Sequence, residues 1–263
     1  MLGVRRRPAA PHGRRGLRRI PPAAVPSFFT LMNLLSGFLA VLQIHQGAYV
    51  GACWLIVLAG VFDLFDGMMA RLTKSNSAFG VELDSLADVV SFGLAPSFLV
   101  YQVGLNAHGL LGLLVAALPV LCGAVRLARF NVTHDGEKKD TFTGLPIPMQ
   151  AAAVVALVLN VERNAFVLYS PGGLTLLVPI VITLAGLMVS RVPFDAGPRP
   201  SAFYIRSHPR KALLYTIGLV LVIALQHRGL LLVLTVYLLA GMGTAAARLV
   251  RTIRAIPPRP DPA

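Results

Sequence analysis

Charge is what this chain has least of. Between residues 20 and 62 there is no Asp, Glu, Lys or Arg, and the same is true of 89–125, 141–161, 164–190 and 229–247. Charged residues make up 13% of the sequence against 56% apolar, roughly half the charge of a soluble domain. Each uncharged stretch matches or exceeds the roughly 20 apolar residues that cross a bilayer. A soluble protein and a disordered chain are excluded. Cysteine is also scarce. Cys53 and Cys122 both lie inside apolar stretches, which excludes a secreted disulfide scaffold and leaves them as small packing residues.

What is there is a polytopic membrane protein, an all-α transmembrane helix bundle. Turn residues divide it into eight candidate helices near 27–45, 48–72, 80–104, 108–130, 145–161, 173–190, 211–227 and 229–248. The divisions rest on His45-Gln46-Gly47, Asn106-Ala107-His108-Gly109, Pro171-Gly172-Gly173 and His227-Arg228-Gly229. The fifth and seventh are short, so the span count runs from six to eight. Residues 1–26 read as a basic cytoplasmic tail, 27–250 as the transmembrane catalytic domain and 251–263 as a C-terminal cytoplasmic tail. The Arg-rich start reads as the flank of a retained first helix, since no small-residue cleavage site follows a short apolar core.

The formal charge of +13 is distributed by topology. With eight spans, all but Arg163 and Arg228 of the 24 Lys and Arg fall on one side. The positive-inside rule makes that side cytoplasmic, with both termini inside. The charge then reads as orientation and as attraction to anionic membrane lipids, not as a nucleic-acid surface.

Acidic residues are the other signal. Five of the 11, Asp63, Asp66, Glu82, Asp84 and Asp88, stand at the cytoplasmic end of the second helix and the start of the third. Glu82 reads as a solvated helix-start residue. Asp63 and Asp66 are three apart and Asp84 and Asp88 four apart, so each pair shares a helix face. Carboxylates inside spanning helices are costly and mark function. Together they call for counter-charge, and with no His nearby an all-oxygen site suits Mg²⁺, Mn²⁺ or Ca²⁺. Two such ions would form a clamp for a phosphate. An ion-transport path would instead spread acids to the midplane or to both sides. His134 and His208 stand in polar loops and read as solvated.

The order of the surrounding residues is Asp63-x2-Asp66-Gly67-x2-Ala70-Arg71-x8-Gly80-x3-Asp84-x3-Asp88. At every fixed position this resembles the signature of the CDP-alcohol phosphatidyltransferase family, a coincidence on the order of 10⁻⁹ per starting position at background residue usage. Three further stretches, Phe79–Pro96, Gly123–Asn131 and Phe142–Pro148, resemble the bacterial integral-membrane phosphatidylserine synthases within that family, as does Thr30-Leu31-Met32-Asn33 more weakly. The resemblance covers about residues 26–160; the last three helices match only in being apolar.

The resemblance implies transfer of a phosphatidyl group from CDP-diacylglycerol to L-serine with release of CMP, by a homodimer in the cell membrane whose active site faces the cytoplasm. It implies two divalent cations, Mg²⁺ or Mn²⁺, on Asp63, Asp66, Asp84 and Asp88, with Asp88 also the general base. Gly67, Ala70, Arg71, Gly80, Thr30 and Asn33 are the expected CDP-diacylglycerol contacts. Gly67 and Ala70 suit close backbone approach of the donor, and equally suit helix packing. Arg126 or Arg129, helped by Asn131, is positioned to hold the serine carboxylate, and anchoring to lipid phosphate is the other reading of both. Pro146 and Pro148 read as helix starters. A glycerol phosphate or inositol phosphate acceptor would need a denser basic cluster, for which Arg126, Arg129, Lys138 and Lys139 are the available residues.

The charge asymmetry predicts that a Cys placed at Gly136, in a Cys53→Ala/Cys122→Ala background, is shielded from a membrane-impermeant maleimide in intact cells and reacts after permeabilisation. Labelling before permeabilisation would reverse the orientation.

Overall fold

The computed structural model describes residues 24–73, 77–133, 141–163, 174–195 and 209–254. The Arg-rich tail, Lys138 and Lys139, the Pro171-Gly172-Gly173 turn, His134, His208 and the last residues of the C-terminal tail lie outside them. Among the described residues, seven helical rods make the bundle. They are α1 (Ala24–His45), α2 (Tyr49–Thr73), a rod joining α3 (Ala78–Asp88) through a π-helical turn (Val89–Leu94) to α4 (Ala95–Val103), α5 (Gly109–Thr133), α6 (Ile147–Arg163), α7 (Leu174–Val189) and α8 (Pro209–Arg254).

Most junctions fall where the turn residues put them. Gly47, at φ 78°, closes α1 in the left-handed region that favours glycine, and its amide donates to the Ile44 carbonyl at 3.0 Å. A 3₁₀ turn, Leu105–His108, leads to Gly109 at φ 55° and α5. The last junction differs by a few residues. The helix breaks at Gln226, at φ 49°, while Gly229 is used for contact: a Cβ there would sit 2.1 Å from the Leu221 carbonyl oxygen. Val233 packs on Gly218, although a straight helix would hold them about 22 Å apart. The two arms of α8 therefore run back along each other, which gives eight apolar segments among the described residues. Ser27–His45, Tyr49–Leu72, Ala78–Val103 and Leu105–Val132 are long and apolar enough to cross a membrane, as is Leu213–Thr244 in total length before its fold at Gln226 is counted, whereas Ile147–Asn160 and Leu176–Val189 are shorter. The chain is a multi-pass membrane protein. Large side chains such as Leu110 and Leu111 stand exposed around the outside, where lipid and not water would meet them.

Two features escape any periodicity argument. Thr141–Thr143 pairs antiparallel with Pro193–Asp195, Phe142 opposite Phe194, a small ribbon beside helices that make up nearly all the other described residues. Phe194 is buried against Tyr237 and Gly241 of the second α8 arm. The π turn is the other. Pro96 has no N–H to give, and its ring crowds the carbonyl four residues back. One wider turn immediately before it accommodates the ring, with Ala95 N–H donating to the Val90 carbonyl.

The core lies where α1 and α2 pack along their length and where the α3–α4 rod and α6 close on them. Glycines set the closest approaches. A Cβ on Gly37 would stand 2.7 Å from Ser91 Cα, and one on Gly93 3.4 Å from Val120 Cα of α5. The Gly37 contact has no slack, because the obstacle is backbone. Gly37→Ala is expected to destabilise the detergent-solubilised protein by about 1–3 kcal/mol, the usual cost of overpacking, read as a lowered thermal-unfolding midpoint. An unchanged midpoint would show that α1 does not need this approach.

Candidate active site

Three of the signature carboxylates meet. One oxygen each from Asp63 of α2, Asp84 of α3 and Asp88 at the end of α3 lie within 4.8 Å of one another. Ser77 caps α3 by accepting from the Gly80 amide at 3.0 Å, which fixes where the helix carrying Asp84 and Asp88 begins. Asp88 is buried. No ion pair to the three carboxylates occurs among the described residues, so their mutual repulsion has no side-chain cation bonded against it. The donor set is all oxygen. It fits a hard divalent cation, on the chemistry of the ligands and the spacing of the oxygens.

Asp66 stands beside this trio and not in it. Its carboxylate accepts from the Thr30 hydroxyl of α1. Three residues further along α1, Asn33 Nδ2 donates to Asp88 Oδ1 at 3.2 Å. The Asn33 carbonyl in turn accepts from Ser91 Oγ at 2.9 Å, tying α1 to the π turn. Thr30 and Asn33 thus touch the acids directly, and the structure adds Ser91, which the sequence reading passed over. The signal was there: Ser91 continues the Asp84, Asp88 spacing on one helix face.

Other expected residues are placed as follows. Gly67 is exposed and Ala70 half-buried near the C-terminal end of α2, and Arg71 Nε donates back to the Gly67 carbonyl at 2.7 Å. Glu82 is exposed. Arg126 is buried, within electrostatic reach of Asp88. Arg129 Nη1 donates to the Val189 carbonyl at 3.1 Å, and Asn131 Nδ2 donates to Ser85 Oγ at 2.9 Å. Of these three, Arg126 is the one the structure brings to the acids.

Several polar atoms are buried without a hydrogen-bond partner among the described residues: Asn33 Oδ1, Arg126 Nε and both amide atoms of Gln150. Buried polar groups are otherwise nearly always paired. Asn33 bonds Asp88 and Arg126 lies within its electrostatic reach, so an unpartnered acceptor and an unpartnered donor belong to the two residues that act on that carboxylate.

Comparison with known proteins bears on this geometry. The profile of the CDP-alcohol phosphatidyltransferase family matches residues 23–190. A CDP-diacylglycerol–serine O-phosphatidyltransferase of Helicobacter pylori (strain ATCC 700392 / 26695) is 40% identical over 170 residues, 64% of this chain and 70% of that protein. The protein of the same name from Bacillus subtilis (strain 168) is 38% identical over 186 residues, 70% of this chain and 96% of its own length. An archaetidylserine synthase of Methanothermobacter thermautotrophicus is 42% identical over 139 residues, 52% of this chain and 58% of that protein.

The carboxylate geometry predicts metal binding that can be read without turnover. Purified protein titrated with Mn²⁺ should show bound ion by electron paramagnetic resonance. Asp63→Asn and Asp84→Asn should each weaken binding at least about tenfold, since each removes a negative charge at contact distance, while Glu82→Gln should match the parent. No bound Mn²⁺ in the parent would remove the metal assignment.

Proposed function

The chain belongs to the CDP-alcohol phosphatidyltransferase family, and on that premise we propose that it transfers the phosphatidyl group of CDP-diacylglycerol to the hydroxyl of L-serine, giving phosphatidylserine and CMP. One observation carries the reading. Signature positions separated by up to 25 residues, Asp63 and Asp88, converge with Asp84 on a single point inside an apolar bundle.

In this mechanism Asp63, Asp84 and Asp88, with Asp66 beside them, would hold two divalent cations, Mg²⁺ or Mn²⁺. Bound there, such ions supply Lewis-acid polarisation of the pyrophosphate and neutralise its charge. The nucleotide end of the donor lies toward the cytoplasmic end of α2 and the start of α3, past Gly67, Ala70, Arg71 and Gly80. Thr30 and Asn33 act through the carboxylates they hold. The serine oxygen attacks the phosphorus that carries diacylglycerol, the bond from that phosphorus to the CMP oxygen breaks, and the serine hydroxyl proton passes to Asp88.

The choice of serine rests on the relatives' names and on what flanks Asp88. An amino acid brings a carboxylate and an ammonium, which a simple alcohol lacks. Arg126 offers an unpartnered donor and Asn33 an unpartnered acceptor, the two kinds of atom that the carboxylate and the ammonium of serine call for. Arg129 and Asn131 support this wall from the α7 carbonyl and from Ser85. The enzyme works as a homodimer with its site and both termini at the cytoplasmic face, a reading supported by the family resemblance and by the placement of the basic residues.

The test is CMP release by purified protein given CDP-diacylglycerol and a panel of acceptors: serine, glycerol phosphate, inositol phosphate and plain alcohols. Serine should be the acceptor used. Asp88→Asn should lower turnover by about 10²–10⁴-fold, the range for loss of a general base. Arg126→Lys, which replaces a planar fork by a point charge, should raise KM for serine and leave KM for the donor unmoved. Turnover with another acceptor and none with serine would overturn the assignment.

A further inference from the structure

The second arm of α8, residues 229–254, lies beyond the stretch 23–190 that carries the family match. Its inward face is Leu230, Leu234, Tyr237 and Gly241, three or four residues apart. The Tyr237 hydroxyl is the one polar side-chain group in that row. Phe194 of the ribbon is buried against it. The two rings lie 5.6 Å apart between centroids, and a Cβ on Gly241 would overlap the Phe194 ring. A phenylalanine would pack there as well, so ring packing calls for no hydroxyl.

The ribbon carries Tyr237 toward Arg126. Arg129 Nη1 donates to the Val189 carbonyl at the end of α7, and the ribbon strand Pro193–Asp195 follows shortly after. One turn before Arg129 on α5 stands Arg126, buried, with its Nε unpartnered among the described residues. Tyr237 and Asp88 are both within electrostatic reach of that guanidinium. A buried cation needs counter-groups, and Asp88 alone would draw Arg126 onto the carboxylate that the reaction uses.

Resting on the serine reaction proposed above, we infer that Tyr237 is a positioning residue for Arg126, its phenolic oxygen drawing the guanidinium toward α8 so that the fork stays open for the carboxylate of serine. A guanidinium has five N–H donors and no acceptor, so it serves a phenol oxygen and a carboxylate at once. A carboxylate in place of the phenol would pair with Arg126 outright and cancel the charge that serine needs. A phenol turns the cation without neutralising it. Arg129 cannot supply this hold, because it bears the same charge and is bonded to the end of α7.

The experiment uses the full chain in detergent with CDP-diacylglycerol. Tyr237→Phe keeps the ring on Phe194 and removes only the oxygen. It should raise KM for serine about tenfold, the scale of one hydrogen bond to a charged group, with KM for the donor and the thermal-unfolding midpoint unmoved. Arg126→Lys already lacks the fork, so adding Tyr237→Phe to it should raise KM for serine little further. Tyr101→Phe on α4 should match the parent. The pairing is read without turnover by ¹⁹F NMR of 3-fluorotyrosine-labelled protein. The chain has six tyrosines, and the Tyr237 resonance is the one lost in Tyr237→Phe. Arg126→Lys should shift it and Arg71→Lys should not. A shifted resonance without serine-dependent CMP release keeps the pairing and removes the reaction. Serine-dependent turnover whose KM for serine ignores Tyr237→Phe keeps the reaction and overturns the positioning role. A Tyr237→Phe protein that loses its unfolding midpoint and both KM values together overturns it too, leaving Tyr237 a packing residue.

Discussion

Three carboxylates share a few ångströms of space inside an apolar bundle, and the surrounding structure is what keeps them there. Like charges at such separation repel strongly when little water screens them, so each carboxylate must be held by its backbone and neighbours. Helix α1 supplies much of that hold. Thr30 and Asn33, three apart on one face, reach Asp66 and Asp88, and Ser91 bonds the Asn33 carbonyl in return. That exchange requires α1 to lie almost in backbone contact with the π turn, which Gly37 alone permits, since a Cβ there would overlap Ser91. A glycine one helical turn from Asn33 thus governs the geometry of the acid site.

Much of this was legible beforehand, for identifiable reasons. Helix ends follow from Gly47 and Gly109, whose positive φ values are the ones glycine serves. The acid cluster follows from spacing, and so does its one exception. Residues three apart on a helix differ by about 60° in direction, enough for Asp63 to face α3 while Asp66 faces α1. The four-residue spacing of Asp84 and Asp88 differs by only about 40°, and both remain in the trio.

The rest had little local signal. Thr141–Thr143 and Pro193–Asp195 are too short for alternation to appear, and their pairing joins segments some fifty residues apart. The tail of the bundle shows the same limit. That α8 doubles back is readable from its turn residues, but that its turn bonds to Asn160 is a tertiary fact. Arg126 illustrates the opposite case. Its place in the sequence reads equally as a lipid anchor and as a holder of the serine carboxylate, and its burial within electrostatic reach of Asp88 is what separates it from Arg129.

An acid site set in a bundle whose outer face is apolar carries a kinetic consequence. A site walled on one side by bilayer meets its two substrates in different dimensions. A water-soluble acceptor is counted per volume of water, a lipid donor per area of membrane. Adding inert phospholipid therefore dilutes the donor while every bulk concentration stays the same, and saturation follows mole fraction in the leaflet. The rate of such an enzyme responds to what else the membrane contains.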